Sequence, residues 1–394
     1  MIAPSTPSLG PQTRPEIDAP AELRALTGLR AFAALAVLLY HFREYVPPIL
    51  GPHAVPVHLL FSAGYLGVDL FFLLSGFIIA YRYGATVRGF AGRAYWSYLW
   101  ARLVRLYPVH LVTLTAMLLL VGLAQAFGLP IANPHYYETD DFFKQLLLIA
   151  GWAVPISRSW NVPAWSISCE WAAYLVFPAL HALTGRLPLR WRSLALLLVA
   201  HGLLLSWFAL EHPYQGNLAY GLLRLTGCFA IGCFLQRLHA RKLGQGAPWP
   251  SIAATALLVL PGFATLVDFI GGQSFAVAPI LLSVVIYGLA MDESRGLGRW
   301  LARPVAVYWG QVSYSVYMGH WIVVAAGWTL IEVLDLEPMA PWIATLAMLL
   351  QMGLILLFAV LLYHKIELPC RQRMRRWYAE IPADSRALAV KTAE

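Results

Sequence analysis

The sequence predicts an all-α protein: a polytopic transmembrane helix bundle with about ten spans. Three observations support this prediction. The 394 residues contain only 12 % charged side chains, whereas soluble domains carry roughly 25 %. Their mean hydropathy is +0.64, and the apolar residues form long runs such as 194–205 and 343–362. This composition excludes a disordered chain, a disulfide-rich secreted module and a typical cytosolic enzyme.

Each predicted span is a mostly apolar run, since a membrane-crossing helix needs roughly 20 such residues. In chain order the spans are 26–43, 60–82, 104–127, 165–184, 193–211, 219–238, 250–270, 274–291, 304–333 and 342–364. The ninth span is long, so we expect it to be tilted, or broken near Gly310 or between Gly319 and Gly327. Residues 143–156 are too few to span and predict a re-entrant or interfacial helix.

Lys and Arg are distributed so that both termini are expected in the cytoplasm. With the N-terminus inside, the inner segments carry 23 Lys and Arg and the outer segments carry 3, and such a bias marks cytoplasmic loops. The remaining two of the 28 Lys and Arg residues, Arg30 and Arg224, lie within spans. The predicted organisation is a cytoplasmic tail (1–24), a transmembrane domain (25–370) and a second cytoplasmic tail (371–394).

The charge and the cysteines exclude further classes of partner. The net charge of +8 follows from the loop bias and gives no indication of nucleic-acid binding. The four cysteines show neither a CxxC nor a Cys/His spacing, so no disulfide framework and no metal site are predicted. No cleaved signal peptide precedes the first span, which we expect to remain as an anchor.

An ionisable side chain within a span is a functional candidate because charge is costly there, and six such side chains are the strongest candidates. They are Arg30, His41, Asp69, Glu170, Arg224 and His320. Arg30 and His41 share one helix face, about 16 Å apart along the axis. Both histidines, Asp69 and Glu170 have similar predicted depths in the outer half of the membrane. This agreement predicts a common polar chamber, with separate contacts between helices as the alternative.

A second cluster lies at the inner end of the third span. Arg102 and Arg105 are three residues apart and share a helix face in an aromatic-rich segment. Guanidinium groups suit bidentate contacts with phosphate, and aromatic rings suit stacking on a purine. The alternative is ordinary positive-inside charge with an aromatic belt. Combined with the histidine layer, the cluster fits coenzyme A, whose phosphorylated head carries a long arm ending in a thioester.

The chemistry that these groups support is acyl transfer to a hydroxyl. His41 would take the proton of the acceptor hydroxyl as its oxygen attacks the thioester carbonyl. Glu170, or alternatively Asp69, would orient the imidazole. Tyr317 or Ser166 would donate a hydrogen bond to the oxyanion. His320, one helical turn from Tyr317, is a further catalytic candidate.

Five segments match motifs of a known family, in the family's order. They are residues 26–31 followed by His41 (R-x10-H), 64–77 (G-V-D-x-F-F-x-x-S-G-F), 102–108 (R-x-x-R-x-x-P), 165–170 (W-S-L-S-V-E) and 313–321 (S-Y-x-x-Y-x-x-H). Residues 366–369 are similar to a closing E-x-P. The chain thus resembles the integral-membrane acyltransferase-3 family. It departs from the usual pattern at Cys169, which replaces an aliphatic residue, and at Met318-Gly319.

The resemblance implies a stand-alone O-acyltransferase in a bacterial inner membrane. Such enzymes transfer an acyl group, most often acetyl, from acyl-CoA to a hydroxyl of a carbohydrate or glycolipid, without a metal. The resemblance also implies that His41 is catalytic and that Arg30 is essential. It further implies that Arg102 and Arg105 bind the CoA phosphates. Together with the predicted depths of the buried residues, this implies that the donor enters from the cytoplasm and the acceptor from outside. The loop 128–164, with Tyr136, Tyr137 and Trp160, would form a lid or sugar platform.

Two other functions use the same buried groups. A secondary transporter or flippase is one alternative, although inverted repeats and paired broken helices are not apparent. A membrane-bound O-acyltransferase of the other large fold also uses a buried histidine, but the ordered motifs fit it poorly.

Overall fold

The structure is a computed structural model that describes residues 21–131, 134–152, 159–211, 220–270, 273–336 and 338–380, and only the backbone of 375–380. All regular structure in these residues is helical. The α-helices are α1 (Arg24–His41), α2 (Val46–Leu50), α3 (Ala54–Ser62), α4 (Gly67–Tyr83), α5 (Gly92–Ala126), α6 (Thr139–Leu146), α7 (Ala164–Arg186), α8 (Trp191–Glu211), α9 (Gly221–Ala240), α10 (Trp249–Phe269), α11 (Ser274–Met291), α12 (Gly296–Leu301), α13 (Pro304–Val333), α14 (Pro341–Leu362) and α15 (Leu368–Glu380).

The long helices confirm the predicted all-helical membrane fold. Each of the ten predicted spans overlaps one helix of 17 or more residues: α1, α4, α5, α7 to α11, α13 and α14. Seven stretches of the described chain are long and apolar enough to cross a membrane. The helices α1, α7 and α9 fall outside that set because charged and polar side chains lower their hydropathy. The number of spans and the orientation of the termini stay predictions.

Three local predictions need correction or lie partly outside the described residues. The short helix expected over 143–156 is α6, which begins and ends earlier, and turns follow it up to residue 152. Residues 153–156 lie outside the described chain, as do 1–20 and 381–394 of the predicted tails. The segment 371–380, expected to belong to the C-terminal tail, continues α15 as helix.

The helix α13 is unbroken from Pro304 to Val333, so neither expected break, near Gly310 or between Gly319 and Gly327, occurs, and the tilt stays a prediction. Gly310 serves close packing instead. A Cβ atom built on Gly310 would lie 1.8 Å from the carbonyl oxygen of Thr27 in α1. Small residues let helix backbones approach in this way inside membranes. The contact holds α1 against α13 and therefore fixes the neighbourhood of His41 and His320.

Because the Gly310 contact is backbone to backbone, we expect Gly310→Ala to destabilise the protein by about 1–3 kcal/mol. Gly122 is the matched control, since a Cβ there meets no atom within 4 Å. Gly122→Ala should be neutral or stabilising because alanine is the better helix former. Thermal unfolding in detergent measures both variants, and equal melting temperatures would contradict the packing role of Gly310.

Candidate active site

A cavity of about 110 Å³ lies between α1, α4, α5, α7 and α13. Its polar lining includes Arg30, Arg102, Arg105, Ser166, Glu170 and Tyr317. Three cations thus face one carboxylate. The volume is below the roughly 300–1,000 Å³ of sites for drug-sized molecules. The cavity therefore has room for a narrow chain or a single anionic group, and the nucleotide of a larger ligand would lie outside it.

Arg105 is held in place by a buried ion pair with Glu367. Glu367 ends the π-helical segment Tyr363–Glu367 and also accepts a hydrogen bond from the Ser315 hydroxyl at 2.9 Å. The Arg105 guanidinium lies 5.2 Å from the ring of Tyr314. The glutamate of the E-x-P segment therefore positions an arginine of the cavity, a role that the sequence did not indicate.

Arg30 and Arg102 keep donors for a ligand. Arg30 lines the cavity, and among the described residues it has no hydrogen-bond or ion-pair partner. Arg102 donates to the Tyr83 hydroxyl at 3.0 Å, while its buried Nε has no partner within the described chain. An unpaired guanidinium is costly inside a membrane protein. These two side chains therefore favour an anionic ligand in the cavity.

Glu170 belongs to the cavity wall and not to the surroundings of His41. One of its oxygens accepts hydrogen bonds from the Ser75 hydroxyl at 2.7 Å and from the Tyr174 hydroxyl at 2.6 Å. Within the described residues no hydrogen bond joins it to His41. Ser75 lies in the motif that contains Asp69, but no pattern in the sequence indicates that it meets Glu170.

Asp69 forms a bidentate ion pair with Arg224. The Arg224 Nε and Nη2 atoms donate to the two carboxylate oxygens at 3.1 and 2.6 Å. Both residues are buried, with 0 % and 1 % exposure, and they join α4 to α9. The pair leaves Asp69 no hydrogen bond to an imidazole. The predicted polar layer is therefore divided into separate contacts: Asp69 pairs with Arg224, and Glu170 is bound by two hydroxyl groups.

His41 and His320 do lie together, as the depth argument expected. Their ring centroids are 4.9 Å apart, and His41 also contacts the ring of Trp321 at 5.3 Å. The Nδ1 atom of His320 lies 2.6 Å from the carbonyl oxygen of Tyr317. A carbonyl only accepts, so Nδ1 carries the proton and Nε2 of the neutral ring is an acceptor. That Nε2 is buried without a partner among the described residues.

Tyr317 and Ser166 separate the cavity from the histidine pair. Their hydroxyl oxygens are 2.7 Å apart, and both side chains line the cavity. The Tyr317 ring lies 5.9 Å from that of His320. His41 is not among the described residues that line the cavity. An arginine-lined cavity and an imidazole pair are thus adjacent, with two hydroxyl groups between them.

The loop 128–164, predicted to lie outside, contributes hydrogen bonds that the sequence did not indicate. The buried Asn161 amide donates to the Thr113 hydroxyl at 3.0 Å and to the Met318 carbonyl at 3.1 Å. This ties the loop to α5 and to the turn of α13 that carries His320. Trp160, expected as part of a lid or platform, is instead buried against Tyr137 and Phe142. Its apolar ring stabilises the loop from within.

No metal centre is found in the described part of the chain, where no three His, Cys, Asp or Glu side chains could hold an ion. The fold and the site together define a helical membrane protein with an imidazole pair beside an arginine-lined cavity. The family described as "Acyltransferase domain" matches residues 23–364. The chain therefore belongs to the acyltransferase-3 family, which confirms the resemblance.

Curated relatives agree with this family. The chain is 28 % identical to "Acyltransferase MdmB" of Streptomyces mycarofaciens, over 90 % of this chain and 93 % of the relative. It is 26 % identical to "Nodulation protein 10" of Rhizobium leguminosarum bv. viciae, over 76 % of this chain and 83 % of the relative. A "Putative O-acetyltransferase" of Staphylococcus aureus (strain COL) is 23 % identical, over 88 % of this chain and 57 % of the relative. No solved structure matches the chain.

Proposed function

We propose that the protein transfers an acyl group, in the simplest case acetyl, from acyl-CoA to the hydroxyl of a glycan or glycoconjugate. The observation that carries this proposal is the juxtaposition of the His41–His320 pair with a cavity lined by three arginines. The arginines attract an anionic donor, and the imidazoles supply a base. The hydroxyls of Tyr317 and Ser166 stand where the thioester would meet that base.

In this mechanism His41 is the general base. It removes the proton of the acceptor hydroxyl while the oxygen forms a bond to the thioester carbonyl carbon. The Tyr317 or Ser166 hydroxyl donates to the oxyanion of the tetrahedral intermediate. Collapse of the intermediate breaks the carbon–sulfur bond, and the imidazolium returns its proton to the departing thiolate. The products are an ester and free CoA.

The orienting role that the sequence analysis gave to Glu170 or Asp69 fits His320 better. Its Nε2 is an unpartnered acceptor beside the His41 ring. Such an acceptor can receive an N–H of His41, fix the ring's orientation and share the charge of the imidazolium. Glu170 then acts on the donor side, where its charge partly offsets that of Arg30 in the cavity wall.

The donor is proposed to enter from the cytoplasm of a bacterial inner membrane, with the acceptor on the outer side. The loop charges support this orientation, and the relatives named above are bacterial. Sealed vesicles with acetyl-CoA on one side only provide the test. Acylation confined to acceptors on the CoA side would contradict the proposed direction.

We expect Arg30→Ala and Arg102→Ala to weaken acetyl-CoA binding. Each variant removes a charge-assisted hydrogen bond worth about 1.5–3 kcal/mol, which corresponds to a rise in Kd of about 10- to 100-fold. Arg88→Ala is the matched control, because Arg88 is exposed and outside the cavity. Arg105 is less suitable for this test, since its removal would also break the ion pair with the buried Glu367. Calorimetric titration measures the Kd, and unchanged values would contradict the donor site.

The activity itself is tested with labelled acetyl-CoA and purified protein in nanodiscs. We expect release of CoA that depends on a hydroxyl acceptor, together with label in an ester product. Substrate counterflow without any consumption of thioester would instead support the alternative of a transporter or flippase.

A further inference from the structure

A second, larger cavity lies at the opposite end of α5 from the arginines. Its volume is about 840 Å³, within the range typical of small-molecule sites. Its walls are formed by the last turns of α5, the segment around Tyr136 and Tyr137, and the part of α13 from Trp321 to Val333. Leu120, in its wall, is about 22 Å along the helix axis from Arg105. The two cavities therefore lie at different depths.

The wall of this cavity touches the imidazole pair. Trp321 lines the cavity, and its ring also contacts that of His41 at 5.3 Å. The buried Trp321 Nε1 atom has no hydrogen-bond partner within the described residues. A buried N–H normally has an acceptor, so this donor indicates an oxygen-bearing ligand next to the ring. One indole thus stands between the cavity and His41.

The lining defines the chemistry of the occupant. Aliphatic side chains and the rings of Tyr136, Tyr137 and Trp328 make most of the surface, which favours an apolar body. Aromatic rings of this kind also suit stacking on the apolar faces of sugar rings. The charged side chains in the lining are Glu332 and Asp335, and no Lys or Arg is among the described lining residues. An anionic acceptor is therefore disfavoured.

The rim beyond the lining is acidic as well. Lys144 is the single lysine or arginine in the described segment 134–152, and its ammonium group is paired with Asp141 at 2.8 Å. This hydrogen bond raises the pKa of Lys144, which keeps the pair ionic. Glu138 and Asp140 are exposed in the same segment. A positively charged group on the acceptor would be attracted, and a phosphate or carboxylate would be repelled.

We propose that this cavity is the acceptor site and that it takes an amphipathic hydroxyl compound, neutral or amine-bearing, such as a glycoside with an apolar aglycone. The proposal rests on the acyl transfer proposed above and narrows its acceptor class. The apolar part occupies the space between α5 and α13. The reacting hydroxyl of this substrate reaches His41 past Trp321. The indole N–H of Trp321 donates a hydrogen bond to an oxygen atom of the same substrate.

The first test fills the cavity. Ala325 lines it, so Ala325→Trp should raise the KM for n-octyl β-D-glucoside about 10-fold or more and leave the Kd for acetyl-CoA unchanged. Leu334→Trp is the matched control, since Leu334 is exposed at the same end of the helix but outside the lining. An unaltered KM in a folded Ala325→Trp variant would overturn the proposal. Loss of co-purifying phospholipid with an unaltered KM would show a lipid site instead.

The second test needs no change in the packed interior. Wild-type protein should acylate octyl glucoside and its 2-amino analogue well, and the 6-phosphate analogue about 10-fold less well or worse. Glu332→Lys should reverse this preference, so that the 6-phosphate analogue is acylated better than the 2-amino analogue, because Glu332 is exposed on the wall. An unchanged order would overturn the proposal. If wild-type protein consumed no thioester with any acceptor, the proposed function itself would fail, which is a separate result.

Discussion

Replacing His41 with alanine is expected to lower acyl transfer by about 10²–10⁴-fold, the usual contribution of a general base. The ring contacts His320 and Trp321, and no hydrogen bond to it is found among the described residues. Its removal therefore deprives the acceptor hydroxyl of its base without stranding a buried partner. Labelled acetyl transfer to a soluble hydroxyl acceptor measures the loss, and the Kd for acetyl-CoA should stay within a small factor of wild type.

His364→Ala is the matched control, because His364 is exposed and meets Tyr308 away from the site. It should retain full activity. Loss of transfer in His320→Ala with retention in His41→Ala would make His320 the base. Retention of transfer in both variants would exclude imidazole catalysis altogether.

Counting residues along each span was enough to find the histidine pair. His41 and His320 lie on α1 and α13, which pack closely where Gly310 meets the backbone of Thr27, so residues with similar predicted depths come into contact. The arginine cavity followed from helix periodicity, since Arg102 and Arg105 share a face. These features depend on distances along single helices, which a sequence specifies.

Depth does not specify which helices are neighbours. The sequence predicted a depth for Asp69 but not its neighbour: α4 packs on α9, and Arg224 is the group that Asp69 meets there. Glu170 likewise meets Ser75 on α4 in place of an imidazole on α1. The lateral arrangement of the helices depends on packing over the whole bundle. For this reason the sequence left the partner of His41 open between two carboxylates, and neither lies beside it.

The strongest effect on stability is expected at Asp69 and Arg224. The pair is fully buried between α4 and α9, and the Arg224 guanidinium lies among the rings of Tyr65, Trp165 and Phe275. Asp69→Leu leaves this guanidinium without its carboxylate. Breaking a buried pair on one side costs about 3–5 kcal/mol, and the variant should unfold at a clearly lower temperature in detergent.

The double variant Asp69→Leu with Arg224→Met separates structure from catalysis. Replacing both charges by apolar groups of similar size removes the stranded cation, and such replacements are often neutral or stabilising. We therefore expect the melting temperature to return close to that of wild type, with a coupling energy of about 3 kcal/mol in the double-mutant cycle. Additive losses would contradict a structural ion pair.

The same double variant decides whether Asp69 has a catalytic role. If the pair only joins α4 to α9, a folded double variant keeps acyl transfer, because His41 and His320 lie on α1 and α13 and have lost no contact. If the carboxylate orients the base in the working enzyme, the variant folds but loses transfer about 100-fold or more. The structure leads us to expect the first result, since both oxygens of Asp69 are already bound by Arg224.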